Sequence, residues 1–98
     1  MNTGSILLGT HPYVGKAKTE SLIEKNGQRV ILKTFRAGEG MPPHHAPVDV
    51  LVVVLEGKMH ITLEATSGEF EAGDFVTFPA GSIHSLHCLQ DAKVLIYR

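Results

Sequence analysis

The segment 38–57, GEGMPPHHAPVDVLVVVLEG, constrains the fold more than any other part of the sequence. Its paired prolines, Pro42 and Pro43, exclude a helix and hold the backbone in an extended, irregular conformation. The run 50–55 that follows is apolar at every position, which is typical of a strand buried on both faces. The sequence therefore predicts a rigid loop that delivers imidazole side chains to one end of a buried strand.

Turn-forming residues divide the rest of the chain into short pieces, and no stretch has a sustained 3.6-residue period. Asn26-Gly27 favours a hairpin that joins strands within 16–25 and 28–36. A helix over 19–25 stays open as the alternative. Further turns are expected at 57–58, 67–68, 72–74, 80–82 and 90–91. Eight or nine short strands of this kind predict an all-β sandwich or barrel.

Length and composition describe one ordinary folded domain. Of the 98 residues, 43% are hydrophobic and 19% are charged, which suits a single globular core. Residues 1–15, rich in glycine, are expected to form an N-terminal arm, and residues 16–98 the domain itself. The start of the chain lacks the basic, apolar pattern of a signal peptide.

The charge pattern excludes several kinds of partner. A net charge of −1 without a basic run gives no reason to expect nucleic acid or an anionic membrane. The longest apolar run is far shorter than the roughly 20 residues that span a bilayer. We therefore expect a cytoplasmic protein, and its single cysteine, Cys88, agrees with a reducing compartment.

Two motifs resemble those of the cupin superfamily, in particular its small single-domain bacterial members. Five residues keep the spacing of the first family motif: Gly38, His44, Ala46, Val50 and Gly57. Five more keep the spacing of the second: Gly73, Pro79, Gly81, His84 and Cys88. The resemblance implies a cupin-type double-stranded β-helix, also called a jelly-roll barrel. Its glycines and Pro79 are then structural turn residues, because positive φ or close backbone approach favours glycine.

The family's metal site, three histidines and one glutamate, is only half retained here. His44 and His84 occupy two ligand positions, whereas Ala46 and Val50 occupy the others and cannot coordinate a metal. His45 is a candidate third ligand, since the prolines around it permit irregular backbone. Imidazole and water ligation would suit Zn, Ni, Fe or Mn. The alternative is that both retained histidines are hydrogen-bonding groups in a metal-free pocket.

Strand alternation predicts which residues line that pocket and which lie outside the barrel. The expected lining consists of Ala46, Val50, Val52, Leu86 and Cys88, beside the two histidines. Such walls suit a small, apolar or weakly polar molecule. On the opposite face of the strand, Leu51, Val53 and Leu55 form an apolar surface that predicts a homodimer.

Three functions are compatible with these features. The first is a small-molecule-binding cupin, with or without a weakly held divalent metal at His44 and His84. The second is a metal-dependent enzyme of the dioxygenase or isomerase type. The third is a metal-free regulatory or sensor subunit whose histidines respond to pH. Because one fold hosts many activities, the sequence does not choose among them.

Overall fold

The computed structural model describes Met1, Thr3, Ser5, Ile6 and residues 19–98. Within this part of the chain the fold consists of seven antiparallel strands. The strands are β1 (Thr19–Lys25), β2 (Gln28–Phe35), β3 (Gly40–His44), β4 (Val50–Leu63), β5 (Thr66–Glu71), β6 (Phe75–Phe78) and β7 (His84–Tyr97). They pair in the order β1-β2-β7-β4-β5, and β3 pairs with β7 while β6 pairs with β4. The all-β expectation is confirmed. Most of the predicted N-terminal arm lies outside the described residues.

The centre of the fold is a bent ribbon of the two long strands, β4 and β7. Turns predicted at 57–58 and 90–91 are wrong, because both strands continue through these positions. The β4–β7 register shifts between Val54 and Met59, so both strands bend while their pairing continues. At the bend Gly57 has a φ of 81°, and a Cβ there would collide with the carbonyl oxygen of Asp91. Glycine therefore allows the close crossing that folds one sheet into a barrel.

The short hairpins are set by local turn chemistry. Asn26 and Gly27 have φ values of 53° and 80° and join β1 to β2, so the predicted hairpin is confirmed and the helical alternative is wrong. The turn expected at 67–68 is wrong, since those residues belong to β5. That turn lies at 64–65 instead, where Glu64 has a φ of 52°. Its carboxylate accepts the Ile83 N–H at 2.9 Å, which fixes this conformation.

The core lies between the inward faces of the bent ribbon and its neighbours. Along β4, Val50, Val52 and Val54 are buried, whereas the residues that alternate with them, Leu51, Val53 and Leu55, are only half-buried. The run 50–55 is thus buried on its inner face, and the prediction that both faces are buried is wrong. On the outer face of the sheet, several side chains are exposed to solvent. Among the described residues no helix is long and apolar enough to cross a membrane.

Candidate functional site

A cavity of about 190 Å³ lies inside the barrel, next to the loops of both histidine motifs. Its apolar walls come from Ile31, Met41, Ala46, Val50, Val52, Phe78, Leu86 and Ile96. Its polar groups come from Thr19, Arg29, Lys33, His44, His84 and Arg98. Four of the five predicted lining residues are therefore present, and the fifth, Cys88, is not among them.

His44 and His84 lie side by side at this cavity because β3 and β7 pair at these residues. Their ring centroids are 4.3 Å apart, in an edge-on arrangement with an interplanar angle of 67°. The Nδ1 of His44 is 2.7 Å from the carbonyl oxygen of Pro42, and that of His84 is 3.1 Å from the oxygen of Ser82. A carbonyl only accepts, so each Nδ1 donates a proton, and in the neutral form of either ring Nε2 is the acceptor.

His84 is buried and neutral. It is only 4% exposed and stacks on Phe78 with ring centroids 4.1 Å apart and planes 7° from parallel. Burial lowers the pKa of His84 below its ordinary value, and the neighbouring His44 lowers that pKa further. The imidazole is therefore neutral at pH 7, and its Nε2 accepts a hydrogen bond but cannot donate one.

Backbone contacts join the two motif loops and fix the distance between the histidines. The Gly81 N–H donates to the carbonyl of Ala46 at 2.8 Å, and the Ala80 N–H donates to the carboxylate of Asp49 at 2.8 Å. Asp49 thus faces away from the cavity, as its position next to Val50 in a strand predicts. Its carboxylate supports the loop and does not reach the cavity.

Two predicted site residues lie elsewhere. His45 is exposed and follows His44 on the opposite side of the chain, outside the cavity lining. Cys88 is fully buried in the core, and its thiol lies 3.0 Å from the carbonyl of Gln90. Burial raises the pKa of Cys88, and Asp91 and Glu39 raise it further. This thiol is therefore inert and protonated at neutral pH.

The cavity does not fit the metal site typical of this fold. Two imidazoles converge there, but Ala46 and Val50 present only methyl groups where the other two ligands would be. Within residues 19–98 and the few described before them, no three His, Cys, Asp or Glu side chains are grouped to hold a metal ion. Three basic side chains in the same lining would also repel a divalent cation.

The sequence alone did not predict that these basic side chains line the cavity. Arg29 and Lys33 flank Ile31 on the inward face of β2, because residues two apart in a strand share a face. Arg98, directly after the end of β7, likewise lies two residues beyond the buried Ile96. The signal was present as two cations alternating with a buried isoleucine, although such residues are usually solvent-exposed.

Solved structures share this architecture at low sequence identity. An RmlC-like cupin from Desulfovibrio desulfuricans is 22% identical with a TM-score of 0.82, covering 99% of this chain and 94% of that one. An RmlC-like cupin from Shewanella frigidimarina is 18% identical with a TM-score of 0.79, covering 89% and 78%. KdgF from a Halomonas species is 19% identical with a TM-score of 0.74, covering 81% and 73%. These likenesses concern the fold alone.

The family comparison covers both histidine motifs. No curated protein matches the chain, whereas the family model described as "Cupin domain" matches residues 26–97. That range runs from the β1–β2 hairpin to the end of β7 and so contains the whole cavity except Thr19 and Arg98. The resemblance drawn from the two motifs is confirmed, and the cupin β-barrel with it. The chain belongs to the Cupin domain family.

Proposed function

We propose that this cupin binds a small organic molecule in its barrel cavity and needs no metal to do so. The observation that carries the proposal is the pair His44 and His84, whose Nδ1 atoms are both bound to backbone carbonyls. Each Nε2 is then a preoriented acceptor beside apolar walls, and few convergent polar groups in an apolar cavity are typical of ligand sites. The ligand in turn donates hydrogen bonds to the imidazoles.

The size of the cavity limits the ligand. Its volume of about 190 Å³ is below the roughly 300–1,000 Å³ of sites for drug-sized molecules. The ligand is accordingly a small metabolite, with an apolar part that contacts Val50, Val52 and Ile96. Phe78, which stacks against His84, forms part of the cavity wall.

The metal-dependent enzyme hypothesis requires a third protein ligand. His45, the candidate from the sequence, is exposed and outside the lining. Reaching the cavity would require the β3–β4 loop to rearrange against the Gly81–Ala46 hydrogen bond. The proposed function therefore assigns both histidines to ligand binding.

A titration with small neutral probes tests the proposal. Chelator-treated protein, labelled with ¹⁵N and ¹³C-methyl groups, is titrated with 1-butanol and butanamide and followed by NMR. We expect saturable shifts of the Val52 and Ile96 methyl signals, unchanged by added Zn²⁺, Ni²⁺, Fe²⁺ or Mn²⁺. Ala46→Leu fills the cavity and abolishes the shifts, whereas Ala80→Leu, an exposed control, does not. Shifts that require a metal contradict the proposal.

We further propose that two copies associate through the outer face of β4. Phe75, Val53 and Leu95 are cross-strand neighbours there, and so are Leu51 and Tyr97. Phe75 is 66% exposed and Tyr97 is 44% exposed, so the surface is apolar and accessible. None of the five is charged, and such a patch faces its own copy across a two-fold axis without repulsion. A cytoplasmic location, with no nucleic-acid or membrane partner, stays a prediction.

A further inference from the structure

Two arginines face each other at the solvent end of the cavity. Arg29 on β2 and Arg98 after β7 are joined by two backbone hydrogen bonds, of 2.6 and 3.0 Å. Their side chains therefore lie on the same face of the sheet. This is the cavity face, since Ile31 and Ile96, each two residues away along the chain, are buried and line the cavity. Like charges directly opposite each other destabilise a sheet.

Lys33 completes the group from the same strand. It lies two residues beyond Ile31 and lines the same cavity, so three permanent positive charges share one lining. Arg98 is near enough to the buried imidazole to contribute to the lowered pKa of His84. The three cations and the two histidines thus belong to one connected site.

Among the described residues, no Asp or Glu side chain neutralises these charges. None of the cavity-lining residues is Asp or Glu. Glu24 lies opposite Arg29 in the β1–β2 pair but makes no ion pair with it within 4.0 Å. Residues 1–19 contain neither Asp nor Glu, so the beginning of the sequence offers no such side chain either.

The polarity of the cavity changes along its length. Arg29 is exposed, His84 is buried, and Lys33, His44 and Arg98 are half-buried. The exposed end of the cavity therefore carries positive charge, and its most buried polar group is the neutral imidazole of His84, beside apolar walls. A molecule that matches this order has an anionic group at its outer end, an apolar body and a hydrogen-bond donor that reaches the imidazoles.

We propose that the ligand is a small carboxylic acid, bound as its carboxylate by Arg29, Arg98 and Lys33, with its apolar body inside the barrel and a hydroxyl group that donates to the imidazoles. The planar fork of a guanidinium matches a carboxylate with two parallel hydrogen bonds. The apolar walls favour a carboxylate on a hydrocarbon chain over a bare inorganic anion. This inference rests on the proposed function and specifies the chemistry of its ligand.

Matched carboxylates and neutral analogues test the inference. At pH 7.5 and constant ionic strength, chelator-treated protein is titrated with acetate, propanoate, butanoate and pentanoate, and with butanamide and inorganic phosphate. A further probe, 4-hydroxybutanoate, adds a donor for the imidazoles, and we expect it to bind more tightly than butanoate. We expect butanoate to bind at least about tenfold more tightly than butanamide, because charged hydrogen bonds are the stronger ones. Affinity rises about fourfold for each methylene until the cavity is full.

Two variants locate the carboxylate. Arg29→Met and Arg98→Met keep an aliphatic stem but remove the charge, and each lowers butanoate affinity about tenfold or more with little effect on butanamide. Arg36→Met makes the same change at an exposed arginine outside the cavity and leaves binding intact. The variants are checked for folding by their amide spectra.

The outcomes separate this inference from the function on which it rests. Equal affinity for butanoate and butanamide overturns the carboxylate assignment and leaves small-molecule binding standing. Phosphate binding that exceeds butanoate binding also overturns it, in favour of a phosphorylated ligand. If none of the probes shifts the cavity signals, both the inference and the proposed function are wrong.

Discussion

Restoring the two missing ligand positions should turn the cavity into a metal site. Ala46 and Val50 stand where the family's second histidine and glutamate would be, and both line the cavity that contains His44 and His84. The variant Ala46→His/Val50→Glu therefore supplies three imidazoles and one carboxylate, a set that suits Zn²⁺ and Mn²⁺. We expect this variant to bind metal and the natural chain not to.

Burial sets the cost of the double substitution in stability, and metal binding sets the stability that is regained. Ala46 is 2% exposed and Val50 is 6% exposed, so the new carboxylate enters a nearly dry site, with a penalty of several kcal/mol when unpaired. Metal at about 1,000 times its Kd adds about 4 kcal/mol of stability. For a domain of this size each kcal/mol corresponds to about 4–8 °C in Tm. The metal-dependent rise is thus about 16–32 °C.

Calorimetry with and without Mn²⁺ or Zn²⁺, together with elemental analysis, measures this effect. The matched control adds His84→Ala to the double variant and should lose most of the rise. A natural chain that gains as much stability from metal as the double variant would refute the reasoning, since its cavity would then already be a competent site. A double variant that folds but does not bind added metal would show that Ala46 and Val50 are not the vacated ligand positions.

Three further predictions concern pH, backbone and assembly. Because the pKa of His84 is lowered in the fold, unfolding takes up a proton below about pH 6.5, so the free energy of unfolding falls as pH drops from there towards the folded pKa. His84→Gln removes part of this fall in denaturation curves measured across pH. Equal slopes in the natural chain and this variant would contradict the assignment. Gly57→Ala costs at least ~2 kcal/mol of stability, which is more than Gly73→Ala costs. Both glycines have a positive φ, but of the two only Gly57 lies against backbone atoms that a Cβ would meet. Equal losses of stability in urea unfolding would contradict the role of Gly57 at the bend. By light scattering we expect a dimer that Phe75→Ser weakens, and a monomeric natural chain at tens of micromolar removes the dimer proposal.

Much of the fold was predictable because its local signals agree with its global shape. Asn26-Gly27 specifies a hairpin wherever it occurs between strands, and the structure has one there. Gly57 was misread as a turn because a positive φ is compatible with both a turn and a bulge. The choice between them depends on β7, which crosses at this point and continues the pairing.

The site was predictable only where a residue carried its own signal. His44 and His84 are recognisable from two motifs, and strand pairing brings them together. Arg29 and Arg98 are far apart in sequence and resemble surface residues, and only the β2–β7 register places them opposite each other. Cys88 shares a face with Leu86, but the bend of β7 carries it away from the cavity into the core.

The central claim is that the cavity binds its ligand without a metal. Its most direct test is the Kd of butanoate by NMR, before and after chelation, on protein purified without a nickel column and analysed for metal content. We predict substoichiometric metal and the same Kd in both samples. Near-stoichiometric metal that is lost in His44→Ala or His84→Ala, with butanoate binding that disappears on chelation, would contradict the account.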